Sequence, residues 1–253
     1  MTLSRRDLLV GAGVVGTIYG LRALPWDRVF PPALEFSPIA DLPPFRRLAQ
    51  AGQVSSPGSA VLVGLDAPRN DVTKAMVDRL RADPCPELFG DAGGGGAVPI
   101  AYFTEFRCPY CRALERDLQP LLAADPDGLR LVVHEWPIYG PESEFAARAF
   151  LAAARQGGQD EMRRRLMRSQ VVADRAAIRR AAQDLGLDPD RLVADMSSPD
   201  ADAALMRSRA LAQLFGFIGT PGLVIGRTVL TGAVSPAVLE RIIKEERALP
   251  AVC

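Results

Sequence analysis

Two cysteines separated by two residues stand in the run Phe103-Thr-Glu-Phe-Arg-Cys108-Pro109-Tyr110-Cys111. Val98 to Phe103 is a continuous apolar run rich in strand formers, and from Cys108 to about Ala124 the spacing predicts a helix that buries Cys111, Leu114, Leu118, Leu121 and Leu122. The pair therefore falls where a buried strand hands over to a helix. At a helix N-terminus the unpaired N–H groups and the positive end of the dipole favour an anion, so Cys108 is expected to have a depressed pKa and to act as a nucleophile. Cys111, one turn further in and facing the strand, is expected to be the more buried sulfur and to resolve a mixed disulfide. Pro109 in the first turn removes no hydrogen bond that the helix could use.

Other chemistries fit the composition less well. A C-x-x-C can be half of a zinc site, but the remaining ligands would have to come from Cys85, Cys253, His134 or carboxylates, none at a short paired spacing, and no metal site is expected. As a purely structural staple so short a loop gains little entropy, while the helix terminus makes it reactive. His134 is the single histidine, which disfavours most zinc enzymes and Ser-His-Asp hydrolases; on its strand before Glu135-Trp136-Pro137 it reads as structural. The 30 basic and 30 acidic residues cancel, so no nucleic-acid partner is expected. Hydrophobic residues at 48% and charged residues at 24% describe a folded chain.

The elements around the pair alternate. A second apolar run, Leu129 to Trp136, completes a strand–helix–strand unit, right-handed by general rule. Residues 143–215 are alanine-rich with helical periodicity, in segments 145–155, 160–169, 174–185 and 200–215, and Arg163-Arg164-Arg165 within them reads as a solvated face. Two short strands, 222–225 and 228–231, flank the turn Gly226-Arg227, and Ser235-Pro236 opens a last helix reaching about Ala248. Residues 25–92 read as an irregular or helical N-terminal extension with short helices near 45–51 and 71–82, and 93–97 as a Gly-rich hinge before the domain at 98–253.

The N-terminus carries Arg5-Arg6 ahead of an apolar run, Leu8 to Leu21, shorter than the roughly 20 residues of a spanning helix. Paired arginines before leucines resemble a twin-arginine export signal, with a Sec-type signal as the alternative; residues 1–24 are read as an export signal or a short membrane anchor. An exported chain meets an oxidising compartment, and four cysteines then suggest two pairs, the second joining Cys85 to Cys253; a free, regulatory Cys85 is the alternative.

More than a hundred residues after the C-x-x-C comes Gly219-Thr220-Pro221-Gly222. Strand, CPYC helix, strand, helical insertion, Thr-Pro, two strands and a terminal helix together resemble the DsbA-like thiol:disulfide oxidoreductase family, an α/β thioredoxin-like fold with a helical insertion, over about 98–248. The resemblance implies that Pro221 is a cis-proline facing the Cys108-Cys111 disulfide, and that Thr220 offers its backbone to an extended substrate chain as an added strand. It places an acidic residue often found in relatives at Glu105, which could accept a proton or form a surface salt bridge; Tyr110 lies between the cysteines as a supporting residue. The implied activity is disulfide exchange with protein thiols in extended conformation, without a cofactor beyond the redox-active disulfide, and with a membrane redox partner or small oxidant to restore it. Oxidation of substrates is the leading direction. Reduction or isomerisation by the same fold, or a redox-silent module that only binds peptides or a partner, are the alternatives.

Overall fold

The computed structural model describes residues 33–49, 52–55, 74–93, 96–169 and 174–253; the arginine-led run at 1–24 and the centre of the glycine hinge lie outside the described residues. Six strands form one sheet: β1 (Phe36–Pro38), β2 (Arg46–Leu48), β3 (Val98–Thr104), β4 (Leu129–Glu135), β5 (Gly222–Ile225) and β6 (Thr228–Thr231), in the order β1-β2-β6-β5-β3-β4. Nine helices occur among the described residues: α1 (Lys74–Ala82), α2 (Cys85–Phe89), α3 (Pro109–Ala124), α4 (Pro141–Ala154), α5 (Gln159–Arg168), α6 (Arg175–Asp184), α7 (Pro189–Asp195), α8 (Pro199–Leu214) and α9 (Pro236–Arg247).

β3 is buried at every position, as expected of a strand inside a sheet covered on both faces. It pairs in parallel with β4 across the α3 crossover and antiparallel with β5, which places Phe103 opposite Gly222. β5 and β6 form the expected hairpin around Gly226-Arg227. One apolar cluster joins Ala101, Phe103, Val224 and Val229 of the sheet to Leu211 and Phe215, and to Leu80 and Leu88 of α1 and α2. A second fills the insertion with Phe150, Met162, Ile178 and Leu192, and reaches Phe106 beside the cysteine loop.

The described residues between 35 and 92 belong to the same compact unit, which spans Glu35–Cys253. The helix expected at 45–51 is absent: Arg46–Leu48 is a strand that pairs in parallel with β6 and antiparallel with β1. Tertiary partners override the local spacing here. Extended backbone lets Arg46 reach Glu245 at 3.3 Å and Glu246 at 3.1 Å, while Arg47 reaches Thr231 at 3.2 Å and the Phe215 carbonyl. Glu246 is buried and also accepts from Arg227 at 3.1 Å and Thr228 at 2.6 Å, so one carboxylate of α9 pins the first and last parts of the sheet. A buried carboxylate is tolerated only when paired this fully.

Arg163 also departs from the expected solvated face. Successive helical residues point about 100° apart, and Arg163 turns inward with Met162 and Leu166 while Arg164 and Arg165 stay outside. It pairs with Glu135 at 2.8 Å and Glu115 at 2.6 Å, tying the insertion to β4 and α3. Burial pushes the Glu135 carboxyl up to about 8, against the pull of Arg163. Ser235 precedes α9 without a side-chain cap.

A disulfide joins Cys85, at the start of α2, to Cys253, with a sequence separation of 168. In the chain-entropy account, closing a loop of that length stabilises by about 5 kcal/mol, and measured cases are often smaller. Replacing Cys85 and Cys253 together by Ser is expected to lower the unfolding free energy by about 3 to 5 kcal/mol in urea titrations, with little change in the denaturant midpoint ruling out a stabilising bridge.

Candidate active site

The strand–helix junction is built as the residue types demand. β3 ends at Thr104, Glu105 and Phe106 are buried beneath the turn, and Cys108 is the N-cap of α3 with extended backbone, followed by Pro109 at the first helical position. The Cys108 sulfur accepts a hydrogen bond from the Cys111 N–H at 3.1 Å and lies 3.4 Å from the Thr220 carbonyl oxygen. Both cysteines are free thiols and both are buried. Behind them the Tyr102 hydroxyl, also buried, donates to the Cys111 carbonyl at 3.0 Å.

The two sulfurs are driven apart electrostatically. The Cys108 pKa is lowered to about 6, first by the hydrogen bond with the Cys111 side chain and then, against desolvation, by the Cys111 N–H. The helix N-terminus acts in the same direction. Cys111 is raised well above its ordinary value by burial, by its hydrogen bond to Cys108 and by the charge of Cys108. One member of the pair is a thiolate near neutrality and the other holds its proton.

Thr220-Pro221 is a cis peptide, as is Pro43-Pro44. The following Gly222 lies under Phe217: a Cβ there would stand 2.9 Å from the Phe217 ring, so only glycine lets the loop close onto the aromatic cluster of Phe103, Phe215 and Phe217. The structure thus brings Cys108, Cys111 and the Thr220-Pro221 peptide together. Pro109 is exposed and Tyr110 half-buried at the mouth.

Glu105 is not a surface residue. It is 1% exposed, and its carboxylate accepts from the Arg107 N–H at 2.7 Å, the Ile138 N–H at 3.1 Å and the Ser143 hydroxyl at 2.9 Å. These bonds hold the turn before Cys108 against the β4–α4 loop; the surface salt bridge expected from the sequence is replaced by this role. His134 donates through Nε2 to the Leu88 carbonyl at 2.8 Å, stacks on Phe103 and is lowered to about 4 by burial, so it is neutral and packed.

Three further residues at the site carried no sequence signal. Ser55 forms a two-way backbone bridge with Thr220, Tyr139 lies beside it in the β4–α4 loop, and Ile218, two residues before Thr220, is 71% exposed. An exposed isoleucine in a turn is common enough that only its place two residues before Thr220 singles it out.

A family model described as "DSBA-like thioredoxin domain" matches residues 99–244, which include the junction, the insertion and the cis-proline loop. The chain belongs to the DsbA-like thioredoxin-domain family. Among solved structures, a thioredoxin-like oxidoreductase from Silicibacter pomeroyi is 37% identical, with a TM-score of 0.60 over 66% of this chain and 99% of that one. A periplasmic thioredoxin-like protein from Salmonella enterica serovar Typhimurium is 29% identical, with a TM-score of 0.55 over 65% of this chain and 95% of that one. The catalytic domain of Proteus mirabilis ScsC is 25% identical, with a TM-score of 0.57 over 68% and 99%. The chain is also 30% identical over 150 residues to the Na(+)/H(+) antiporter NhaA of Herminiimonas arsenicoxydans, 59% of this chain but 24% of that protein. It thus spans about a quarter of this curated relative. Among the described residues no helix is long and apolar enough to cross a membrane.

With this DsbA-like junction, the thiolate absorbance of the reduced protein is expected to titrate with a midpoint near pH 6. Cys111→Ala removes the leading hydrogen-bond partner and should move that midpoint upward; an unchanged midpoint would show that the helix N-terminus alone sets it.

Proposed function

We propose that this DsbA-like chain is a thiol:disulfide oxidoreductase that donates the Cys108-Cys111 disulfide to protein thiols. The observation that carries the reading is the opposed tuning of two adjacent sulfurs at a helix N-terminus, beside the Thr220 carbonyl of the cis Thr220-Pro221 peptide. A substrate thiolate attacks the Cys108 sulfur; the Cys108–Cys111 bond breaks, and the electron pair leaves on Cys111, which takes up a proton because its pKa is high. A second substrate thiolate then attacks the substrate sulfur of the mixed disulfide and expels Cys108. A leaving thiol of low pKa departs faster, which suits Cys108 to this second step. The substrate gains one disulfide, and the protein ends as a dithiol.

The same tuning supports this direction. At pH 7, a Cys108 pKa of about 6 in place of 9.0 favours the reduced pair by about 1.4 kcal/mol, or about 30 mV toward the oxidising end. No cofactor is needed, since every bond made or broken is between sulfurs. Regeneration takes an external oxidant, for which a membrane redox partner is the proposed source. Export to an oxidising compartment completes the proposal: the Cys85–Cys253 bridge persists there, the Salmonella relative is described as periplasmic, and Arg5-Arg6 heads a signal-like run. The substrate enters as an extended strand on the Thr220 backbone, with Ile218 offering apolar contact beside it.

The oxidised protein is expected to re-form disulfides in reduced, unfolded ribonuclease stoichiometrically, and Cys108→Ser to abolish this. Cys111→Ser, first charged at Cys108 with glutathione as a mixed disulfide, should instead release glutathione to a ribonuclease thiolate and accumulate the Cys108–ribonuclease mixed disulfide. Ile218→Asp should raise KM about tenfold while leaving the reduction potential unchanged, the magnitude corresponding to part of the burial of one isoleucine. Full activity in Cys108→Ser would overturn the proposal.

A further inference from the structure

Cys108 is 0% exposed, although an exchanging sulfur must be reached by another sulfur along the line of the bond it breaks. Part of the cover is the chain's own residues 52–55. Ser55 donates its N–H to the Thr220 carbonyl at 2.7 Å and accepts from the Thr220 N–H at 2.9 Å, an antiparallel pair on the peptide that also contacts the Cys108 sulfur. The Ser55 side chain is a hydrogen-bond partner of both Cys108 and Tyr139. Upstream, Gly52 donates to the Thr231 carbonyl at 2.7 Å, and Gln53 pairs both ways with Ala233 at 3.2 and 2.9 Å.

This contact has the chemistry of a bound strand. Its five bonds are backbone to backbone, Gln53 faces solvent, and none of the four residues is fully buried. An attachment made mainly through the backbone, with the Ser55 side chain as its one side-chain anchor, carries little sequence preference and can be exchanged for another polypeptide of the same direction. Thr220 and Pro221, by contrast, lead directly into β5, whose every residue is buried, so the strand at 52–55 is the part of the cover that can leave without opening the core.

We propose that residues 52–55 occupy the strand position of an incoming polypeptide, so that the site is self-occluded: a substrate pairs with Thr220 only after this strand leaves, and its cysteine then takes the place of Ser55. The inference rests on the reading of Cys108 as the exchanging sulfur. The preferred substrate is an unfolded chain, able to present several free backbone groups in extended form, and not a small thiol or a cysteine fixed in a helix. Apparent affinity is reduced by the fraction of molecules in which the strand is docked.

Gly52 supplies the means to test this. It lies so close to Gly232 and Ala233 that a Cβ would stand 2.2 Å from the Ala233 carbonyl oxygen, so Gly52→Ala cannot keep the strand docked. In the reduced full chain, Gly52→Ala is expected to speed iodoacetamide modification of Cys108 about tenfold, and to lower KM for unfolded ribonuclease by a similar factor with kcat unchanged, the effect of losing one or two net hydrogen bonds. Equal rates and equal KM in a folded Gly52→Ala protein would overturn the proposal.

A second variant does not depend on loosening the strand. Ser55→Cys combined with Cys111→Ser, treated with glutathione disulfide, is expected to form a disulfide between position 55 and Cys108; each glutathione disulfide consumed yields two glutathione thiols, and the bridge appears in a peptide map. A stable Cys108–glutathione adduct with no such bridge would contradict the placement of position 55. If native protein and both variants consume no glutathione disulfide, the exchange reading and the self-occlusion fall together; if native and Gly52→Ala protein consume it at identical rates, only the self-occlusion falls.

Discussion

The Cys108 sulfur sits between a helix N-terminus and the carbonyl of a cis peptide, and much of the remaining structure serves to hold those two features face to face. The hydrogen bond from the Cys111 N–H at 3.1 Å and the 3.4 Å approach to Thr220 come from segments more than a hundred residues apart in the chain. The antiparallel register of β3 and β5, with Phe103 opposite Gly222, brings them together. Because the two strands are buried along their length, the register is fixed by packing on both faces and cannot slip by one residue without turning every side chain over.

Buried charge does a related job at longer range. Glu105 fixes the turn that presents Cys108, Arg163 fastens the insertion beneath it, and Glu246 fastens β2 to the hairpin. Each is a charge removed from water and satisfied by several partners. Such groups add little net stability compared with apolar packing of the same volume, yet losing one partner is expensive, so they act mainly to fix geometry. Pairing of β2 with β6 then carries the chain toward residues 52–55, where a strand can lie on the Thr220 edge.

The sequence made the site easier to read than its surroundings. Cys108-Pro109-Tyr110-Cys111 carries strong local chemistry, Thr220-Pro221 took its meaning only from pairing with that motif in the family resemblance, and the long periodic helices and buried strands followed from spacing. Arg46–Leu48 was unreadable as a strand, because its reasons for being extended are Glu246, Thr231 and β6, all far away in the chain. The short helices α2 and α7 were missed because five and seven residues hold too little periodicity to register. Glu105 looked like a surface acid since its three donors come from two loops and a helix. Ser55 had no signal at all: a serine in a polar stretch becomes notable only once its backbone is seen on Thr220.

The central claim is that the tuning of Cys108 against Cys111 makes the pair an oxidant. The most direct measurement is the equilibrium reduction potential of the Cys108-Cys111 pair in glutathione buffers, with Cys85 and Cys253 replaced by Ser so that one couple is read. The account predicts a value displaced from about −270 mV by about 30 mV or more toward the oxidising end of the fold's range, which reaches about −120 mV. A value near about −270 mV would contradict it, marking a pair that gives electrons to its partners.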